Sequence, residues 1–315
     1  SDLYPKHLSL EQCSSEITAR YKARLLQGDS LTDLTGGFGI DCSFLATGFK
    51  SATYVERQEE LCEIAAHNFP VLNLNHINIK NEDGVTYLQA MSPVDCLFLD
   101  PARRNEHGGK TVAISDCEPN VAELEELLLQ KANRVMIKLS PMLDLSLALK
   151  ELKQTQEVHI LSVNNECKEL LILLGQTSPA EISIHCVNLF TKGTQKEQHF
   201  VFTREQEQCS ECTYTDSLET YLYEPNASLL KAGAFRSIAA AYPVRKLHPN
   251  SHLYTSDTFI ENFPGRIFRI VNQCSFNKKE VKENLADLKK ANVTVRNFPA
   301  TVRSEEHTSE LQSPR

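Results

Sequence analysis

The sequence predicts an α/β protein: a doubly wound, mostly parallel sheet ending in an antiparallel hairpin, followed by a small α+β C-terminal domain. Three stretches carry that expectation. In LTDLTGGFGID, residues 31–41, a strand-like run (31–35) breaks into Gly36, Gly37 and Gly39, and a helix-compatible segment (40–46) starts at once. Residues 94–99 form a nearly continuous apolar run, as in a central strand covered on both faces, and lead into Asp100-Pro101. The apolar runs 158–163 and 169–174 flank the turn-like pair Asn164-Asn165, which reads as a hairpin at one sheet edge.

Composition bounds the possibilities. The 315 residues are enough for two domains, and 41% apolar content is ordinary for a globular chain. No apolar run reaches transmembrane length and no signal peptide opens the sequence, so a cytoplasmic protein is expected, with no membrane partner. Ten cysteines are scattered through mostly apolar segments and read as reduced thiols; the lone Cys209-x-x-Cys212 lacks a second pair, and no metal is expected. The net charge of −8 is uneven. Residues 231–302 hold twelve Lys and Arg against five Asp and Glu, an excess of +7 that leaves −15 on the rest. A basic C-terminal part suits a polyanion partner or, equally, an ordinary solvated surface. The expected organisation is a helical lead-in (1–30), a cofactor-binding domain (31–205), a linker (206–222) and a basic domain (223–302). Residues 303–313, RSEEHTSELQS, resemble a translated sequencing adapter, so 303–315 are expected to be a non-native tail replacing a natural continuation.

In chain order, Ser9 and Gln12 have the form of a capping box for a helix that carries Ile17, Tyr21 and Leu25 to Gly28. Gly37 and Gly39 let the backbone approach a ligand, and the helix after them offers unpaired N–H groups. The strand 51–55 ends at Glu56, about twenty residues past the glycines, where a carboxylate can take both hydroxyls of a ribose. A helix (58–69) and a strand (76–79) lead to Asp83, which can accept an adenine amino group, cap the next helix, or do both. Asp100 should project into the ligand crevice from the end of its strand, with Pro101 fixing the backbone beside it. Arg103 and Arg104 can hold a phosphate or carboxylate bidentately, or pair with Asp100 to close a loop. The loop 105–110 offers His107 as a base or as an idle surface histidine. A helix (121–131), a strand (134–139) ending in Ser140-Pro141-Met142, and a helix (145–152) precede the hairpin. Strands are expected at 182–190 and 199–203, one helix over 226–242 opened by Glu224-Pro225-Asn226, apolar runs at 251–254 and 266–271, a charged helix at 278–291 and a strand at 293–297.

What discriminates among nucleotide-binding folds is Asp33, which precedes the glycines. A carboxylate there repels a pyrophosphate but attracts the ammonium and sulfonium of S-adenosylmethionine. Asp33, Thr35, Gly37 and Gly39 therefore look like the first motif of a class I methyltransferase. Over residues 4–302 the sequence resembles bacterial S-adenosylmethionine-dependent methyltransferases with a THUMP-like C-terminal domain. The resemblance is carried by LSLEQCSSEITARYKA, DLTGGFGID, FLDPARR, NNECKELLILL, EPNASLLKAGAFR, FPGRIFRI and VRNFP. It implies a Rossmann-like seven-strand sheet, with cofactor at Asp33, Gly37, Gly39 and Glu56 and Asp83 near the adenine. The acceptor is implied beside Asp100 and Pro101, and RNA as substrate, because THUMP domains accompany RNA-modifying enzymes.

Two departures matter. Enzymes that methylate exocyclic amines of bases place Pro-Pro-aromatic after the acidic residue, whereas here Pro101 is followed by Ala102 and Arg103, and no cysteine follows Leu139 to attack a pyrimidine carbon. Expected roles are therefore orientation of an acceptor by Asp100 and the Pro101 carbonyl, with Arg103 or Arg104 on a phosphate. The rivals are a methyltransferase acting on protein or a small molecule, a non-catalytic RNA-binding protein with a degenerate cofactor fold, and a nicotinamide dehydrogenase, which Asp33 disfavours.

Overall fold

The structure, a computed structural model, describes residues 16–104, 113–270 and 295–296. It divides into two compact units, residues 1–161 with 168–182, and residues 162–167 with 183–315. The Ser9 capping box, the loop with His107, and the helix expected at 278–291 lie outside the described residues.

In the first unit, α1 (Glu16–Ala23) precedes β1 (Ser30–Asp33), after which α2 (Ile40–Leu45), β2 (Ser51–Val55), α3 (Glu59–Val71) and β3 (Ile77–Lys80) alternate. Next come α4 (Gly84–Ala90), β4 (Val94–Leu99), and β5 (Ala102–Arg103) paired antiparallel with β6 (Cys117–Glu118). The unit continues through α5 (Val121–Lys131), β7 (Ala132–Leu139), α6 (Leu145–Glu151), β8 (Thr155–Val163) and β9 (Glu166–Gly175). Within this unit the strand order is β3-β2-β1-β4-β7-β9-β8. The first five strands in that order are parallel and β9 runs antiparallel to β7. This is the expected doubly wound, mostly parallel sheet with its terminal hairpin. Asn164 and Asn165 turn that hairpin with φ of 48° and 65°, the left-handed pair a two-residue turn requires.

Burial explains the order. Cys96 to Leu99 of β4, Val135 to Ile137 of β7 and Leu170 to Leu174 of β9 are all buried, so the apolar runs form the middle of the sheet. The chain winds outward from β1 through β2 to β3, then returns to β4 on the other side of β1. The strand order thus reverses between β1 and β4, and the crevice beyond their C-terminal ends is where such a sheet receives ligands.

The second unit contains the antiparallel pair β10 (Ser183–Leu189) and β11 (Glu197–Phe202), then α7 (Arg204–Cys209). Its separate sheet has the order β13-β14-β12-β15-β16, all antiparallel, from β12 (Tyr221–Pro225), β13 (Arg245–His248), β14 (Ser251–Ser256), β15 (Gly265–Ile270) and β16 (Val295–Arg296). Leu222, Leu247, Phe268 and Ile270 form its apolar core. The single helix expected over 226–242 is instead two, α8 (Ala227–Ala232) and α9 (Phe235–Ala241), because Gly233 adopts φ 75° and ends the first with a left-handed cap. Glu224 and Pro225 close a strand rather than open the helix. Asn226 stands at the N-cap, yet its amide bonds Gln198 at 2.6 Å, while Asn165 Oδ1 accepts the Ala227 N–H at 2.8 Å. The N-terminus of α9 is closed by Glu207, which accepts from the backbone N–H groups of Phe235, Arg236 and Ser237 at 2.7 to 3.1 Å. The eight described cysteines are all free, and no helix among the described residues is long and apolar enough to cross a membrane.

The tightest backbone approach near the crevice is at Gly84, where an added Cβ would stand 2.3 Å from the Leu34 carbonyl oxygen. Backbone cannot yield as a flexible side chain can. Gly84→Ala is therefore expected to destabilise the protein by about 1–3 kcal/mol, read as a lower urea midpoint with an unchanged slope.

Candidate cofactor and acceptor site

A cleft of about 420 Å³ opens at the C-terminal ends of β1 and β4. That volume suits a ligand of nucleoside size. Of the expected site residues, Asp33, Thr35, Gly37, Gly39, Glu56, Asp83, Asp100 and Arg103 line it, and so does Arg104. Pro101 is buried and is not among the lining residues.

The glycine turn is held from both sides. Gly36 N–H donates to Val55 O at 2.8 Å, and Gly39 N–H to Gly36 O at 2.9 Å. Tyr54 on β2 is fully buried beneath the turn, and its hydroxyl donates to Gly37 O. A Cβ at Gly36 would lie 2.3 Å from the Tyr54 ring. Gly37 and Gly39 have φ of 55° and 78°, and a Cβ at Gly37 would meet nothing nearer than Thr35 O at 3.7 Å, so its backbone faces open cleft. Glu56 follows Tyr54 by two residues; its carboxylate accepts from Gly37 N at 3.1 Å and Gln58 N at 2.8 Å. Asp83 caps α4, accepting from Thr86 N at 3.0 Å.

Asp33 is 1% exposed, and among the described residues its Oδ1 accepts only from Thr35, from its N–H at 3.0 Å and its hydroxyl at 3.4 Å. Burial pushes its carboxyl up to about 8; the Thr35 N–H opposes the rise, and Asp41 and Asp100 add to it. Among the described residues no cation pairs with this buried carboxyl, and the sulfonium and ammonium of S-adenosylmethionine are cations. The open face at Gly37 and the carboxylates of Glu56 and Asp83 on the same cleft complete a donor and acceptor set that fits that cofactor.

Thr35 also ties β1 to β4, since its hydroxyl accepts from Asp100 N at 2.6 Å. Beside Asp100 stands a group that sequence reasoning missed. Leu99 pairs with Ile137 in the β4–β7 register, which brings Lys138 alongside Asp100, Nζ to Oδ2 at 3.3 Å. Lys138 also reaches Asp41 at 3.4 Å and Glu169 at 4.0 Å. Behind it Lys22, 0% exposed, binds Asp41 Oδ1 at 2.8 Å and both Glu169 oxygens. Five elements, α1, α2, β4, β7 and β9, thus converge on one alternating cluster of two ammonium groups and three carboxylates. Burial works to lower the Lys138 ammonium, but Asp100, Asp41 and Glu169 outweigh it and hold the group above its ordinary range. Burial raises the Asp100 carboxyl and Lys138 opposes that. With the Asp100 side chain 39% exposed, cleft water tempers the rise. A signal for the cluster did exist in the sequence, because Lys138 interrupts the apolar run in VMIKL and Glu169 stands directly against the apolar run LLILL.

A family model described as a ferredoxin-like domain matches residues 221–264, and one described as THUMP domain-like matches residues 265–304. The described residues of the second match are 265–270 and 295–296. No curated protein matches the chain. Among solved structures, a "putative methyltransferase from Porphyromonas gingivalis W83" is 36% identical over 98% of this chain and 77% of its own, with a TM-score of 0.80. A Streptococcus mutans methyltransferase described as "putative" and solved with SAH is 15% identical over 51% of this chain and 97% of its own, TM-score 0.38. An rRNA methylase from Streptococcus thermophilus is 14% identical over 52% and 98%, TM-score 0.38. The last two are too distant to carry an argument about this chain.

Two outcomes follow from the buried charges. The Asp33 carboxyl titrates near 8 in the folded state against about 4 unfolded, so between those values the folded protein holds the extra proton and stability falls as pH rises. Asp33→Asn keeps the acceptor for Thr35 N–H and removes that dependence: its urea midpoint is expected to match the parent near pH 4 and exceed it at pH 8. Lys22→Met leaves Glu169 and Asp41 only their longer contacts to Lys138 and is expected to cost about 3–5 kcal/mol, part of which Glu169→Gln restores in the double variant.

Proposed function

Because the chain belongs to the family of class I methyltransferases with a THUMP-like C-terminal domain, we propose that it transfers a methyl group from S-adenosylmethionine to RNA. The observation that carries the reading is Asp33, a buried carboxyl with no cation beside it among the described residues, at the head of a glycine turn that opens onto the cleft. Bound cofactor supplies a methyl group already activated on a sulfonium. The protein's task is then to hold, orient and dehydrate. Asp33 takes the cationic end, the Gly37 and Gly39 backbone lets the ligand approach, Glu56 takes the ribose hydroxyls and Asp83 the adenine. Asp100 orients the acceptor, and Arg103 with Arg104, both exposed at the mouth, receives a neighbouring phosphate. Pro101, buried behind them, acts through the backbone it fixes.

RNA is supported by the THUMP-like match and by the basic C-terminal part, which in this reading is the domain over 223–302. Not every cation there is available. Lys246 is buried and donates to three backbone carbonyls, and Arg245 and Arg266 pair with Glu219 and Glu224. Arg236 and Arg269 are exposed.

The reading is tested by supplying S-adenosylmethionine labelled in its methyl group to separate pools of RNA, DNA and protein from cells lacking the gene, with Asp33→Ala as control. Label is expected in RNA and lost in the control, whereas label confined to protein would overturn the RNA substrate. Cofactor binding has its own signature. A cation bound at Asp33 displaces the proton held up to about pH 8, so affinity should rise up to about tenfold per pH unit between pH 6 and 8 and then level. Asp33→Asn, followed by calorimetry, should lose both affinity and slope.

A further inference from the structure

We propose that the methyl acceptor is a hydroxyl, the ribose 2′-hydroxyl of an RNA, held between the Lys138 ammonium and the Asp100 carboxylate. The inference rests on the methyl-transfer reading above and names its target atom. The two groups are neighbours by strand register, stand 3.3 Å apart, and both line the cleft. Lys138 is 12% exposed and lines the cleft, so its head reaches the cleft while most of the side chain is packed inside the protein. Asp41 and Glu169, fixed in turn by Lys22, hold it there as a permanent cation.

A fixed cation at this point discriminates between classes of nucleophile. When a neutral amine attacks a methyl group, positive charge grows on its nitrogen. An ammonium a few ångströms away opposes that growth, at a rate cost on the order of a hundredfold in a partly dry cleft. A hydroxyl has the reverse requirement: its oxygen becomes more negative as the proton leaves, and the same ammonium stabilises it by a charge-assisted hydrogen bond. Lys138 is thus a donor and not a base, consistent with the carboxylates that keep it protonated. Asp100, partly exposed and flanked by that donor, is the proton acceptor.

The step balances. The O–H bond breaks and its proton passes to Asp100; the oxygen forms a bond to the methyl carbon; the carbon–sulfur bonding pair stays on sulfur. The positive charge of the sulfonium and the negative charge of Asp100 disappear together, and Asp100 returns its proton to water. Two further features favour ribose over base. Ala102 follows Pro101 where a stacking ring would grip a flipped base, and the exposed Arg103 and Arg104 suit the phosphodiester that adjoins every 2′-hydroxyl.

The test is alkaline hydrolysis of RNA labelled in the transfer assay. A 2′-O-methyl group removes the hydroxyl that attacks the adjoining phosphodiester, so label is expected in alkali-stable dinucleotides. Label released as mononucleotides would place the methyl on a base and overturn this inference while leaving RNA methylation standing. Absence of label from RNA would overturn the reading it rests on and this inference with it. Lys138→Met should lower transfer by about 100-fold with S-adenosylmethionine affinity, measured by calorimetry, within about twofold of the parent, and Lys138→Arg should recover part of the rate. Parental transfer by a folded Lys138→Met protein would exclude Lys138 from the reaction.

Discussion

The cluster of Lys22, Asp41, Lys138 and Glu169, with Asp100 at its open end, is the interaction on which the site depends. Burying charges of this kind is unfavourable unless each meets an opposite charge at close range. Here each ammonium lies between carboxylates and each buried carboxylate meets at least one ammonium, so the arrangement is satisfied only when α1, α2, β7 and β9 are all in their native positions. An apolar cluster would tolerate small displacements, because the hydrophobic effect is non-directional. This one does not, and the consequence is a fixed orientation for Asp100 at the cleft.

A second constraint operates on the cofactor side. Tyr54 fills the space beneath the glycine turn and bonds Gly37 O, which requires that Gly36 lack a side chain. Just past the end of the same strand, Glu56 is thereby delivered to the Gly37 amide. The turn, the strand behind it and the acidic residue act as one unit, and the left-handed φ at Gly37 and Gly39 follows from the geometry they share. The two constraints meet at Thr35, whose hydroxyl accepts from Asp100 N–H and whose N–H donates to Asp33. Cofactor end and acceptor end are therefore coupled through one side chain at the point where the strand order reverses.

Asp33 shows the cost of such an arrangement. Its carboxyl is buried with a neighbour on the backbone and further carboxylates nearby, and among the described residues no cation pairs with it. Asp41 shares in the buried cluster, whereas Asp33 stands just outside it. Local destabilisation of this kind is what a site prepared for a charged ligand entails, since interactions withheld from the free protein become available on binding.

The sequence alone determined the sheet and its switch point. The apolar runs, the glycines after residue 35, the Asn164-Asn165 turn and the carboxylates at strand ends are local signals, and each acts through its own backbone or within a few residues of it. Asp33, Glu56 and Asp100 were legible for the same reason: a strand end places its next side chain at the crevice whatever the rest of the chain does. The break at Gly233 was as local, but helical periodicity across it masked it, and the strands at Tyr221–Pro225 and Arg245–His248 were too short and mixed to stand out. Only the tertiary structure decided that Lys138 faces Asp100 and that Lys22 serves Glu169 from 147 positions away. Those pairings arise from the register between β4, β7 and β9 and from the docking of α1, which no single segment encodes. Coulomb attraction then makes partners of residues that register and packing have already brought within reach.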